Sequence, residues 1–120
     1  MNGLVDSGGR ALVEVTLKAA DDADVSTVAA WIDTGFTGDL VLPDSVIQEL
    51  SLPLSGTVGA VLADGSQVAM RTYSCLIEWF DGWQHLEVVA SNAACPLLGV
   101  GLLLGHNLRI DYRSKLLTIT

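Results

Sequence analysis

The chain has 120 residues, half of them hydrophobic, which fits one domain over residues 11–120 behind a flexible N-terminus at residues 1–10. Fourteen acidic against six basic residues give a formal net charge of -8, which argues against nucleic-acid binding through phosphate neutralisation. No apolar run approaches the roughly 20 residues of a membrane-spanning helix, and residues 1–10 lack the basic leader and apolar segment of a secretory signal, so we expect no membrane contact and a cytoplasmic location.

The first predicted elements form a β-hairpin that ends at an acidic residue. Residues 13–18 alternate between apolar and polar types, which is typical of a half-buried strand. The acidic stretch at residues 21–24 predicts a turn. Val25 to Ile32 is more continuously apolar and predicts a second strand, which leads directly into Asp33.

A short strand and a brief helix are predicted after the loop that follows Asp33. Leu40 to Leu42 is an apolar run of strand type. Pro43 is placed to open a helix, and Asp44 or Ser45 is expected to cap it with a side-chain oxygen. The helix is the first of two in the predicted fold.

Two Asp-Gly dipeptides indicate two further hairpins. This dipeptide tolerates the positive φ angles of a type I′ turn, which joins adjacent antiparallel strands. The predicted turns are Asp64-Gly65 and Asp81-Gly82. The predicted arms are residues 57–63 with 66–72 and residues 73–80 with 83–90.

The last third of the chain completes the predicted fold. A short strand over 96–98 reaches Gly99, and Val100 to Leu104 then predicts a second short helix that Gly105 is placed to end. Strands over 108–112 and 115–119 follow. Many short strands and two short helices together predict an all-β fold, a closed or partly closed β-barrel.

The residues with the clearest chemical signal are Asp33, Thr34 and Gly35. An apolar strand that ends in Asp-Thr-Gly places a carboxylate at the edge of a dry core, on a turn that glycine allows to be tight. The backbone N–H of Gly35 is expected to orient the carboxylate, and the hydroxyl of Thr34 is expected to reach a neighbouring chain.

A single carboxylate does not suffice for peptide hydrolysis by acid–base catalysis. One ionised oxygen must take a proton from water while a protonated carboxyl polarises the scissile carbonyl, and two carboxyls about 3 Å apart divide these roles by sharing one proton. Asp6-Ser7-Gly8 is the only other candidate motif, but it lies too close to Asp33 for a second lobe. The second carboxylate is therefore expected from another subunit, in a homodimer.

In this order, the segments AWIDTGFTGDLVLP, VLADGS and PLLGVGLLLGHNLRIDY make the chain resemble the retropepsin-like (clan AA) aspartic peptidases. The similarity covers roughly residues 11–120. It looks closest to the bacterial and archaeal single-domain branch, which has Asp-Thr-Gly-Phe at its active site. The resemblance implies a retroviral-type acid protease barrel and hydrolysis of peptide or protein substrates by a homodimer.

The resemblance also implies roles for particular residues. Asp33 would be the catalytic acid, Thr34 would brace the two active-site loops of the dimer, and Gly35 would lie beneath the substrate. In the viral members the terminal strands build much of the dimer interface, which implicates residues 115–120 here. The implied substrate-binding residues are Phe36, the flap residues Leu62, Ala63, Asp64 and Gly65, and, in the second element of the crossed loops, Leu98 and Gly99, with Leu97 beside them.

Two departures from the viral pattern leave an alternative open. Phe36 stands where viral enzymes have a small residue, so it would change the pocket floor or point into the core, and Val100 stands where they have an arginine. The alternative is a catalytically silent dimerisation or peptide-binding module with the same fold. The intact Asp-Thr-Gly motif argues against this alternative.

The remaining metal-binding residue types predict no cofactor. Cys75 and Cys95 have no metal-type spacing around them and are expected to be two buried free thiols. His85 and His106 are isolated from other ligand residues, so they are expected to have surface or capping roles. No metal and no cofactor are therefore expected.

Overall fold

The structure, a computed structural model, covers residues 1–120 and contains ten strands and two short helices. The helices are α1 (Asp44–Leu50) and α2 (Val100–Leu103). The strands are β1 (Asn2–Val5), β2 (Ala11–Lys18), β3 (Ser26–Ile32), β4 (Leu40–Pro43), β5 (Leu54–Val61), β6 (Gln67–Trp79), β7 (Gly82–Ser91), β8 (Leu97–Leu98), β9 (Leu108–Asp111) and β10 (Leu116–Ile119).

Six of the strands close into a barrel. The ladder runs β6-β7-β4-β8-β3-β2, and an additional pairing of β6 with β2 joins its two ends. Strand β5 extends the sheet beyond β6, whereas β1, β10 and β9 extend it beyond β2. This arrangement confirms the predicted all-β barrel with two short helices.

The barrel interior follows from the period-two pattern of the strands. Val13, Val15 and Leu17 of β2 are almost fully buried, because alternate side chains of a strand point to the same face. They belong to a core cluster of 21 buried residues, which also includes Ile47 of α1 and Leu102 of α2. Neither helix has the length and apolar character that a membrane crossing requires.

Strand β6 is one strand of 13 residues where the sequence predicts two separate arms. The 13 residues of β6 include no glycine or proline, so nothing breaks the extended backbone where the sequence predicts the two arms to meet, at Thr72 and Tyr73. Its first half pairs with β5, and its second half pairs with β7 and with β2. A single strand therefore belongs both to the barrel and to the hairpin that projects from it.

The two Asp-Gly turns differ from the predicted type I′ geometry. At the first, Leu62 donates its N–H to the carbonyl oxygen of Ser66 at 2.8 Å, and of the intervening residues only Gly65 has a positive φ, of 85°. This is a three-residue loop that ends in a left-handed glycine. At the second, Trp79 pairs with Gly82, so the corner is Phe80-Asp81, with Phe80 at φ 53°.

The N-terminal segment contains a strand that the sequence does not predict. Strand β1 pairs with β10 on one side and with β2 on the other. Gly3 permits this close pairing, because a Cβ there would collide with the backbone carbonyl of Leu12. Asp6 lies in the following turn, where its carboxylate accepts hydrogen bonds from the N–H groups of Gly8 and Arg10 and from the Arg10 side chain.

Helix α1 begins without the predicted side-chain cap. Asp44 is already its first helical residue, and Pro43 occupies the capping position, where no side-chain hydrogen bond forms. Helix α2 ends one residue earlier than predicted, at Leu103, and Gly105 follows with the positive φ of 81° expected of a residue that terminates a helix.

The cysteines and histidines have structural surroundings that the sequence predicts only in part. Both cysteines are free, but only Cys75 is buried, whereas Cys95 is half-exposed. Burial raises the pKa of the Cys75 thiol to about 11. His106 accepts a hydrogen bond from the indole N–H of Trp79 at 3.3 Å and stacks on Phe80 with ring centroids 4.5 Å apart.

Candidate active site

Asp33 stands at the point where strand β3 leaves the barrel. The preceding residue, Ile32, is buried, and the backbone N–H of Asp33 donates to the carbonyl oxygen of Leu98 at 2.9 Å. Strand β8, which carries Leu98, runs parallel to β3 and antiparallel to β4. The position of Asp33 is thus fixed by the neighbouring strand, while the residue itself remains half-exposed.

The carboxylate of Asp33 is oriented by its own turn. Its Oδ1 accepts a hydrogen bond from the backbone N–H of Gly35 at 3.0 Å, as the sequence predicts. The carbonyl oxygen of Asp33 accepts from the N–H of Phe36 at 3.2 Å, which closes the turn. A Cβ on Gly35 would lie 3.3 Å from Oδ1, so glycine keeps this approach open.

The loop after Asp33 is tied to the start of helix α2. The N–H groups of Gly99, Val100 and Gly101 donate to the carbonyl oxygens of residues 39, 36 and 38 at 2.9, 2.8 and 2.9 Å. These bonds satisfy donors that a helix start otherwise leaves unpaired. The loop and the helix therefore form one rigid base beside Asp33.

Phe36 is accommodated by two glycines. It is half-buried, and a Cβ on Gly38 or on Gly99 would approach its ring to about 2.5 Å. A Cβ on Gly99 would also meet the carbonyl oxygens of Phe36 and Gly38, so glycine is required at this crossing. The bulky residue in this position thus packs beside the turn without displacing Asp33.

Leu98 contributes to the site through its backbone. Its side chain is fully buried in the core, because it faces the same side as Ile32, with which it pairs. The neighbouring Leu97 is half-exposed and pairs with Trp31 on the opposite face. The contact that Leu98 makes with Asp33 is therefore through its backbone carbonyl oxygen.

A cavity of about 600 Å³ lies between the Asp33 loop and the hairpin formed by β5 and β6. Of the predicted site residues, Gly35 and Phe36 line it. The cavity is not lined by Asp33 and Thr34, by the hairpin tip at residues 62–65, or by Leu98 and Gly99. Other lining residues that the sequence did not single out are Thr37, Gly38, Asp39, Val41, Val58, Gly59, Ala60, Val61, Met70, Thr72, Glu87 and Val89.

The residues missed on β6 and β7 follow a pattern that was present in the sequence. Met70 and Thr72 are alternate residues of β6, Glu87 and Val89 are alternate residues of β7, and Thr72 pairs with Val89. Directly paired residues of antiparallel strands point to the same face. Once the pairing register of β6 and β7 is known, the alternation of residues along these strands therefore identifies one wall of the cavity.

The ionisable residues that line the cavity, Asp39 and Glu87, are both acidic. Burial raises the pKa of Asp39, and no neighbouring carboxylate contributes to this shift. The Asp39 carboxylate lies against the start of helix α2, where a Cβ on Gly101 would collide with its Oδ1.

Thr34 lies exposed beside Asp33 at the surface of the chain. Its hydroxyl makes no hydrogen bond within the chain. The predicted triplet is thus brought together as one turn, with the acid oriented and the hydroxyl free. No group of three or more His, Cys, Asp or Glu side chains that could hold a metal ion is present.

Solved structures of two proteases are similar to this chain. A retropepsin-like aspartic protease from Rickettsia conorii matches with a TM-score of 0.68 and 16% sequence identity, over 99% of this chain and 88% of its own. EIAV protease complexed with an inhibitor matches with a TM-score of 0.56 and 17% identity, over 82% of this chain and 88% of its own. No protein-family model and no curated protein matches the chain. The chain has the retropepsin-like fold.

Proposed function

We propose that this chain is an aspartic endopeptidase in which Asp33 of two identical subunits forms one catalytic pair. The observation that carries the proposal is the setting of Asp33, a half-exposed carboxylate at the end of a buried strand. Hydrogen bonds to Leu98 and Gly35 hold it, and no carboxylate of the chain is hydrogen bonded to it. The retropepsin-like fold supports the same function.

The proposed chemistry divides one proton between the two Asp33 carboxyls. The ionised carboxyl removes a proton from a water molecule, whose oxygen attacks the scissile carbonyl carbon, while the protonated carboxyl donates a hydrogen bond to the carbonyl oxygen. The tetrahedral intermediate then collapses, the carbon–nitrogen bond breaks, and the leaving nitrogen receives a proton. The Gly35 N–H keeps each carboxylate in the orientation that this exchange needs.

An apolar row on the outer face of the sheet supports association with a second copy. Trp31 pairs with Leu12, Leu12 with Leu4, and Leu4 with Leu116, so four apolar side chains adjoin across four strands. Trp31, Leu4 and Leu116 are 40%, 52% and 58% exposed. The row begins two residues before Asp33, so a partner that covers it also approaches the active site.

Within this proposal, the expected contribution of residues 115–120 to the dimer interface comes from side chains. Strand β10 is already paired with β1 on one edge and with β9 on the other, so its backbone has no free edge for a partner strand. The open edge at this end of the sheet belongs to β9. We therefore assign any contact of residues 115–120 with a partner to side chains such as Leu116.

The hairpin of β5 and β6 serves in this proposal as the flap over the substrate. Its tip at residues 62–65 is exposed, and its inner side chains line the cavity next to Gly35. An extended peptide between the flap and the Asp33 loop would be held by backbone hydrogen bonds, with alternate side chains in the cavities. The silent-module alternative loses one support, because Phe36 packs on glycines without disturbing the Asp33 turn.

Substitution of the acid tests this proposal. Asp33→Asn should lower kcat for peptide cleavage by about 10⁴-fold, because both acid–base roles are lost, while the melting temperature stays near that of the wild type. Asp6→Asn is the matched control, since Asp6 belongs to the other Asp-X-Gly sequence, and it should retain activity. Cleavage that survives in Asp33→Asn would refute the assignment.

Mixed dimers test the shared pair separately. When wild-type and Asp33→Asn subunits are unfolded and refolded together, only dimers with two wild-type subunits should cleave. Activity should therefore fall with the square of the wild-type fraction. A linear decrease would show that each chain acts alone, and thermal stabilisation by a statine-type inhibitor without any turnover would favour the silent binding module.

A further inference from the structure

The cavity beside the Asp33 loop combines apolar walls with two carboxylates. Val58 of β5, Met70 of β6 and Val89 of β7 supply apolar wall, while Asp39 and Glu87 supply the only ionisable groups. Its volume of about 600 Å³ is ample for one long side chain. A cavity with apolar walls and two carboxylates suits a side chain that has an aliphatic stem and a cationic end.

Strand register brings Asp39 and Glu87 to the same wall of the cavity. Strands β4 and β7 run parallel, and Leu40 pairs with Val88. Both of these residues are fully buried, so the residues that precede them, Asp39 and Glu87, both lie on the opposite face. That face is the wall of the cavity.

Neither carboxylate has a cationic partner in the chain. The one ion pair joins Arg10 to Asp6, at a distance of 2.8 Å in the turn after β1. No lysine or arginine lines the cavity. Asp39 is half-buried and Glu87 is exposed, so an incoming cation would meet one partly desolvated and one accessible acceptor.

We propose that this cavity is a substrate subsite that selects a lysine or arginine side chain at one fixed position near the scissile bond. The inference rests on the proposed function, because it assigns a specificity to that same active site. The aliphatic part of the guest lies along Val58, Met70 and Val89, and its charged end pairs with Asp39 and Glu87. Long basic side chains bury their stems in this way while their charge stays near polar groups.

A cleavage survey with peptides of random sequence tests the proposal. The wild-type protein is incubated with the peptide mixture, and mass spectrometry identifies the bonds cut. We expect one position, at constant distance from the cut, to be enriched in lysine and arginine. Cleavage that depends on Asp33 but shows no basic enrichment at any position would overturn this inference and leave the proposed function intact.

Matched peptides measure the contribution of each carboxylate. Two peptides differ only at the enriched position, one with lysine and one with norleucine, and the ratio of their kcat/KM values is compared between variants. In the wild type the ratio should favour lysine about fivefold, the upper end of what a solvent-accessible ion pair contributes. Asp39→Asn and Glu87→Gln should each reduce the ratio, and the double variant should bring it close to one.

The controls separate loss of folding from loss of specificity. Glu87 is exposed, so Glu87→Gln tests the subsite even where Asp39→Asn lowers stability. Glu49→Gln removes the same charge from helix α1, outside the cavity, and should leave the ratio unchanged. If the ratio falls equally in Glu49→Gln and Glu87→Gln, the preference for lysine comes from the net charge of the protein and not from this cavity. A complete lack of cleavage by the wild type would instead refute the proposed function.

Discussion

The barrel and the hairpin of β5 and β6, which is the proposed flap, are built from the same kind of strand but differ in the contacts that hold them. In the barrel, β2 pairs with both β3 and β6 and buries alternate side chains in the core. In the flap, β5 pairs only with β6. Its apolar residues remain exposed, among them Val61 at 70% and Leu62 at 45%.

This difference separates the source of stability from the proposed place of substrate contact. The barrel fixes Asp33 through the backbone of Leu98, so the position of the acid depends on a closed sheet and a packed core. Hydrophobic stabilisation is roughly proportional to the apolar area removed from water. Because the proposed flap buries little apolar area within the chain, it gains little stability in this way. Its apolar side chains are thus available for a ligand.

A pair of leucines provides the largest expected contrast. Leu98→Ala removes a fully buried side chain from the barrel and should lower the free energy of unfolding by about 3 kcal/mol, through lost transfer energy and a remaining cavity. Leu62→Ala makes the same chemical change at the exposed flap tip and should cost less than about 0.5 kcal/mol. Urea unfolding of both variants measures the difference, and equal losses would contradict the separation of the two regions.

A pair of glycines gives a smaller contrast. Gly99→Ala places a methyl group against the Phe36 ring and the carbonyl oxygen of Gly38, so we expect a loss of about 2 kcal/mol from overpacking beside the active site. Gly59→Ala is the matched control in the flap, where a Cβ would have no neighbour within 4 Å. Thermal unfolding should show a clear shift for Gly99→Ala and almost none for Gly59→Ala; the reverse order would contradict the close crossing at Gly99.

The smallest expected effect is a titration confined to the flap tip. Hydrogen bonds from the hydroxyl and the backbone N–H of Ser66 lower the pKa of Asp64 below its ordinary value of 3.8. Because the folded pKa is lowered, the stabilisation is present above about pH 3.8 and is lost as the pH falls through the folded value. The Asp64 carboxyl carbon and the Ser66 amide proton should follow this titration by NMR, whereas barrel amides should not.

A variant at the same turn checks the cause of that shift. Ser66→Ala removes the hydroxyl donor, which lies 2.6 Å from Asp64 Oδ1, and leaves the backbone N–H in place. The pKa of Asp64 should rise toward its ordinary value. An unchanged titration would exclude the Ser66 hydroxyl as the main cause.

The parts predictable from sequence are those that depend on neighbouring residues in the chain. The alternation in β2, the strand leading into Asp33 and the turn through Gly35 all follow from local pattern, and so does the barrel class. The bond from the Gly35 N–H to Asp33 is likewise local.

The parts that could not be predicted depend on register between distant strands. Strand β1 is short and contains Gly3, and it is ordered only because β2 and β10 lie on either side of it. The corners at Gly65 and Phe80 are set by which residues pair across each hairpin, which the Asp-Gly dipeptide alone does not specify. The burial of the Leu98 side chain could not be predicted for the same reason, because it depends on the pairing of β8 with β3, which turns Leu98 and Ile32 to the core.

The length of β6 has a consequence for which insertions and deletions the chain tolerates. An additional residue within β6 would turn every later side chain of that strand to the opposite face, so Cys75 and Ile77 would leave the core while their outward neighbours entered it. The same insertion in the three-residue loop between Leu62 and Ser66 lies outside the ladders with β2 and β7. Of these two places, only the hairpin tip can change length without shifting the strands that position Asp33.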